Sequence, residues 1–229
     1  MLNYSRCEKR RESSVVIVIG GMIGLGKTTT AGILSKELGV PVYYESVDDN
    51  KVLPLFYSST PEEQERKRYP FLLQLNFLYT RYRSIREAML SDNAVLDRSI
   101  YEDHYFASKI HDQGRISDLE FEIYSNILAE MMKDIEGMPK KAPDVMIYLR
   151  GSFETVLHRI LERGRSFEID PDLKEYYRFL WKDYDAWIQK SYTASPIILV
   201  DVDKRDVKYN SKDRQWLLDE VKKAVSHPF

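Results

Sequence analysis

Only one of the 229 residues is cysteine (Cys7), so an intrachain disulfide is excluded and a reducing, cytosolic home is expected. Long apolar runs are missing too. The longest are strand-sized, too short to span a bilayer, which argues against a membrane partner. Nor does charge of one sign dominate, since 34 Lys and Arg stand against 36 Asp and Glu. No global field therefore points to a nucleic-acid polymer or a lipid surface. Internal repeats and low-complexity linkers are absent as well. Residues 15–229 read as one domain, long enough to bury a core without staples. Residues 1–14 read as a flexible polar tail with Lys9, Arg10 and Arg11, without the apolar segment of a secretory signal.

Short apolar stretches alternate with helix-like ones along the chain. Strands are expected at 15–19, 42–44, 94–96, 145–149 and 197–200. Helices are expected at 28–38, 70–90, 101–110, 118–136, 153–162, 172–190 and 212–225. Strands apolar at nearly every position between helices predict an α/β fold, a five-stranded parallel sheet flanked by helices on both faces. Ligands of such sheets sit beyond the carboxyl ends of the strands. Tyrosine outnumbers phenylalanine, 16 to 9, and for most of these rings packing is the expected role.

The first strand runs into Gly20-Gly21-Met22-Ile23-Gly24-Leu25-Gly26-Lys27-Thr28-Thr29. From Gly21 this reads G-x-x-x-x-G-K-T between a strand and a helix, the setting a phosphate-cradling loop requires. Backbone N–H groups and the positive end of the helix face an oligophosphate. Lys27 reaches its terminal phosphates, and the Thr28 hydroxyl suits Mg2+. The loop implies a nucleotide and leaves its fate open.

Residues just past the other strands narrow that fate. Glu45 closes the second strand, where a carboxylate could take a proton from an attacking hydroxyl or serve as a cap or surface acid. Asp97-Arg98-Ser99 comes directly after the third, with Asp97 placed for Mg2+ and Arg98 for a transferring phosphoryl group or an acid near the acceptor. Arg159, Arg163 and Arg165 form R-x-x-x-R-x-R around Gly164, a lid at about 159–170 that could close over a triphosphate. The competing reading is a solvated basic face paired with Glu162 and Glu168. In helix 70–90, Gln74, Leu78 and Arg81 share one stripe, and the Gln74 amide interrupts an apolar surface where it could read a base edge or bond within the protein.

These motifs, with Y-Y-E-S-V-D-D-N, F-L-L-Q-L-N-F-L-Y-T-R-Y-R, D-R-S-I-Y-E-D and D-V-D-K-R-D-V in this order, resemble the deoxynucleoside kinases over about 15–225. The bacterial deoxyadenosine/deoxyguanosine kinases are the nearest in pattern. The resemblance implies a P-loop kinase fold, ATP and a deoxynucleoside as substrates, Mg2+, and a homodimer or related heterodimer. It makes Glu45 the base for the 5′-hydroxyl, with Arg98 holding that oxygen and Asp97 near Mg2+. Lys27, Arg159, Arg163 and Arg165 would clamp the phosphates. Tyr57 and Glu168 would grip the 3′-hydroxyl, while Gln74, Arg81 and Asp103 would read the base. The loop holding Asp203, Lys204 and Asp206 would lie beside adenine. Deoxyadenosine is the expected acceptor, followed by deoxyguanosine and deoxycytidine. Leu25 and Thr28 replace the alanine and serine usual in this family's loop. A nucleoside monophosphate kinase shares the loop and lid, but Glu45 would repel its acceptor phosphate. A nucleotide-binding switch would leave Glu45, Gln74, Arg81 and Asp103 without a role.

Overall fold

The computed structural model describes residues 14–47, 49–91, 93–136 and 142–225; of the expected tail at 1–14, residues 1–13 lie outside the described residues. Five strands form one parallel sheet: β1 (Val15–Gly21), β2 (Val42–Tyr43), β3 (Asn93–Asp97), β4 (Val145–Arg150) and β5 (Ile197–Asp201), in the order β2-β3-β1-β4-β5. In register, Val15 pairs with Asn93 and Ile19 with Asp97 on one side of β1, and Ile17 pairs with Val145 on the other. The central strand is wholly buried because both its faces are covered.

Alternation along each strand divides the core in two. Val15, Ile17, Ile19, Val95, Ile147 and Leu149 face helices α1 (Lys27–Leu38), α7 (Phe153–Arg163), α8 (Leu173–Trp181) and α10 (Ser211–Ala224). Val16, Val18, Ala94, Leu96, Met146 and Tyr148 face α4 (Tyr69–Ala88), α5 (Tyr101–Asp112), α6 (Asp118–Glu136) and α9 (Tyr184–Ser191). A third cluster around Leu53, Phe56, Leu73, Ile110 and Ile116 supports the region beyond the strand ends.

Two features differ from expectation. Residues 52–67 fold as α2 (Val52–Ser58) and α3 (Pro61–Lys67). Helix α3 begins with Thr60 accepting a hydrogen bond from the Glu63 N–H and with proline in its first turn. The expected helix 172–190 breaks between Trp181 and Tyr184. Tyr177 and Leu180 pack into one core while Tyr184 and Ile188 pack into the other, which an unbroken helix stripe would not serve.

Candidate active site

The phosphate loop leaves β1 and enters α1 in backbone conformations that favour glycine. Gly24 has φ 84°, and a Cβ there would lie 2.9 Å from the Val156 carbonyl oxygen. Gly26, at φ 90°, is left-handed at the helix start. The Lys27 ammonium donates to the carbonyls of Gly21 and Met22, at 2.9 and 3.0 Å. Its burial, with repulsion from Arg98, lowers its pKa to about 7 against the pull of Glu45, Glu102 and Asp97.

Leu25, the residue out of pattern, borders the cleft but is largely taken up by packing. It is 2% exposed and packs in the core, where a Cβ on Gly151 would come within 2.8 Å of its Cδ2. Its bulk is housed because position 151 has no side chain. The Leu25 carbonyl accepts from Arg159 Nη1 at 2.9 Å, joining α7 to the loop.

Thr28 donates to Asp97 Oδ2 at 2.6 Å. The other Asp97 oxygen is buried without a hydrogen-bond partner. Burial, then the Glu45 charge, raises the Asp97 pKa. Arg98 adopts φ 94°, uncommon for a side chain that is not glycine, and its N–H donates to Ile19 O at 2.9 Å. Its guanidinium lies 4.7 Å from the Phe106 ring centroid and brings Nε within 2.9 Å of Glu45 Oε1. Arg81 Nη2 donates to the same Glu45 oxygen at 2.9 Å, and Arg81 Nε donates to Asp103 Oδ2 at 2.7 Å. Burial alone would raise the Glu45 pKa, but Arg98, Arg81 and Lys27 outweigh it and hold the carboxyl at about 2. Glu45 is therefore ionised at neutral pH. Burial pushes Asp103 up to about 6, and Arg81 only partly offsets it.

A cleft of about 770 Å³ joins these groups. Ile23 to Thr29 of the loop, Glu45, Tyr57, Gln74, Arg81, Arg98, Asp103, Arg159, Arg163, Arg165 and Glu168 all line it. Gln74, Leu78 and Arg81 are buried on one stripe of α4, as their spacing predicts. Gly21 and Met22 sit behind the lining, Met22 in the core. Tyr57 stacks on Phe167, with centroids 5.9 Å apart. Glu168 is buried and pairs with two arginines, Arg163 and, at 3.5 Å, Arg165. Gly164 ends α7 at φ 67°, between those arginines.

The loop after β5 is divided. Asp206 lines the cleft, but Asp203 and Lys204 do not. Asp203 instead holds the start of α7, accepting from the Ser152 N–H at 2.7 Å and the Thr155 hydroxyl at 2.5 Å. Lys204 lies 3.3 Å from Asp201 with its side chain 78% exposed. The carboxylate of Asp203 is thus already hydrogen-bonded within the protein. Arg205 and Val207 of the same motif, and Lys208 and Tyr209 just beyond it, line the cleft there. Arg205 is stacked 3.7 Å from the Trp216 centroid and held by Asp213 at 3.0 Å.

Residues 17–226 match the family model described as deoxynucleoside kinase. A deoxyguanosine kinase of Lactobacillus johnsonii is 46% identical over 209 residues, 90% of each chain. A deoxyadenosine kinase of Lactobacillus acidophilus is 43% identical over 90% of this chain and 94% of its own. Among solved structures, deoxyadenosine kinase from M. mycoides with bound dATP superposes with a TM-score of 0.75 at 26% identity, covering 91% of this chain and all of that one. The same protein with bound dCTP gives 0.75 at 25% identity, with the same coverage. The chain belongs to the deoxynucleoside kinase family and is a nucleoside kinase.

Proposed function

We propose that this kinase transfers the γ-phosphoryl group of ATP to the 5′-hydroxyl of a deoxynucleoside, deoxyadenosine first, with deoxyguanosine and deoxycytidine as further acceptors. The observation that carries the reading is Glu45, an ionised carboxylate lining the same cleft as Lys27 and the phosphate loop. Such a group suits a neutral hydroxyl acceptor and repels a phosphorylated one.

In this reading Glu45 takes the hydroxyl proton and Arg98 orients the oxygen. Lys27 and the lid arginines neutralise the phosphates as charge shifts toward the leaving group. Thr28 and Asp97 would hold Mg2+, whose chemistry is to neutralise the phosphate oxygens. The buried, unpartnered Asp97 Oδ1 beside the Thr28 hydroxyl fits that cation. Tyr57 and Glu168 flank the sugar. Gln74 offers a donor and an acceptor, Arg81 donors and Asp103 an acceptor to the base edge. Asp206, with Arg205 and Tyr209 near it, borders the donor base. Residues 15–229 act as one domain whose lid is about 159–170, in a cytosolic homodimer or related heterodimer. The exposed Leu119 and Ile123 on α6 support pairing through that helix.

ADP release measured with each of the four natural deoxynucleosides, and with deoxyadenylate, tests the reading. Turnover with deoxyadenosine leading the panel is expected. Turnover with the monophosphate alone would overturn the assignment.

A further inference from the structure

Glu102 has no part in the proposed reaction, yet it is the most buried carboxylate near the site, with 0% exposure. One of its oxygens has an ordinary explanation. Ser99-Ile100-Tyr101-Glu102 is a capping-box pattern, and Oε2 accepts the Ser99 N–H at 2.9 Å at the start of α5. Capping needs no complete burial, because helix starts are commonly open to water.

The other oxygen has different neighbours. Oε1 accepts the N–H of Gly21, the first residue of the phosphate-loop motif, at 3.1 Å. It also accepts the Tyr184 hydroxyl from α9 and lies 3.5 Å from Arg98 Nη1. Gly20 leaves room for this arrangement, since a Cβ there would sit 3.2 Å from Glu102 Oε2. The same guanidinium that Glu102 approaches from behind meets Glu45 at the front through Nε. One carboxylate thus touches the donor loop, the backbone of the Asp97-Arg98-Ser99 segment and the acceptor-side arginine. A carboxyl buried so fully calls for such a set of hydrogen-bonding and charged partners.

We infer that Glu102 is a positioning residue that fixes the phosphate loop and Arg98 relative to each other, so that donor phosphate and acceptor hydroxyl meet in line. It touches neither substrate. The inference rests on the proposed roles of the loop, Glu45 and Arg98. Because each substrate keeps its own contacts when Glu102 changes, the effect falls on turnover more than on binding. Misplacement of reacting groups by about 1 Å costs on the order of 100-fold in rate.

The test is steady-state kinetics of Glu102→Gln in the full-length protein, with kcat expressed per site titrated by nucleotide binding. Glutamine keeps the size, but its NH2 must face the N–H of either Gly21 or Ser99. A fall in kcat of about 10- to 100-fold, with the KM for ATP and for the deoxynucleoside each within about threefold of wild type, is expected. A purely structural role would lower thermal stability and the titrated fraction while leaving kcat per site unchanged, and that result overturns the inference. If the glutamine variant does not fold, Glu102→Asp is read instead. Its carboxylate keeps the charge but falls short by one methylene, so reduced kcat at unchanged KM supports the inference and wild-type kcat overturns it. Wild-type protein inactive on every deoxynucleoside would overturn both this inference and the proposed function. An active wild type with unaffected variants overturns only the role of Glu102.

Discussion

Leu25 and Gly151 form a size-matched pair whose energetics can be worked from two distances. A Cβ at position 151 would meet Leu25 Cδ2 at 2.8 Å and Val202 Cγ2 at 2.9 Å, inside van der Waals contact. Leu25 is 2% exposed and packed in the core, so Gly151→Ala should destabilise by about 1–3 kcal/mol through overpacking. Leu25→Ala removes a buried side chain and should cost about 2–5 kcal/mol. In the double variant the new methyl group occupies part of the cavity, and the two costs should fall short of their sum by about 1–2 kcal/mol. Urea unfolding monitored by tryptophan fluorescence measures all four corners of the cycle. Trp181 donates to the Gly151 carbonyl at 2.9 Å and reports locally. The slopes must agree, so that midpoint shifts reflect stability alone. Additivity within about 0.5 kcal/mol would refute the pairing and leave the leucine in this loop unexplained.

The carboxylates lead to further expected outcomes. Glu45→Gln should retain ATP affinity in calorimetry while kcat drops about 10²- to 10⁴-fold, and near-normal kcat would make Glu45 structural. Asp103, held at about 6, accepts from Arg81 when ionised and loses that role as pH falls. Deoxynucleoside kcat/KM should therefore show an acid limb near pH 6, with Arg81, Arg98 and Glu45 facing the group, and the limb should vanish in Asp103→Asn. Its folded pKa lies above the ordinary 3.8, so this carboxyl disfavours the fold increasingly as pH rises from about 4 to 6, and the limb is not acid unfolding through this group. In Arg81→Ala combined with Asp103→Ala, the ranking of bases should change more than ATP affinity does; an unchanged ranking would remove the pair from base recognition.

The sheet was legible because each strand is a short, nearly continuous apolar run, a pattern that burial on both faces imposes. Observed strand ends differ from the expected ones by at most two residues, as at Gly21 in β1 and Asn93 in β3. Helices were legible where an apolar stripe runs for several turns. The pair α2 and α3 escaped notice because each spans seven residues, too few turns for periodicity to show. Yet Thr60-Pro61-Glu62-Glu63 carried a capping signal that marked the start of α3. The break in 172–190 left no glycine or proline to see. It arises from which core each half of the segment meets, and that is settled only once the sheet has formed.

The site divides along the same physical line. The phosphate loop, Glu45 and Asp97-Arg98 can be placed from the sequence because each lies at or just after a strand end, so its position at the sheet's carboxyl edge is a local property. Gln74 and Arg81 come from the repeat of one helix. The role of Asp203 at the start of α7 is not legible in the same way, because its partners, Ser152 and Thr155, lie 51 and 48 residues away. Glu102 was overlooked for the same reason. Its local pattern marks a cap, whereas the contacts that set it apart reach Gly21 and Tyr184 across 81 and 82 residues. Chemistry delivered by one turn of backbone can be read from a motif. The scaffolding that holds two such turns in register depends on packing between distant segments, and a variant there can impair turnover without altering any residue that a motif would name.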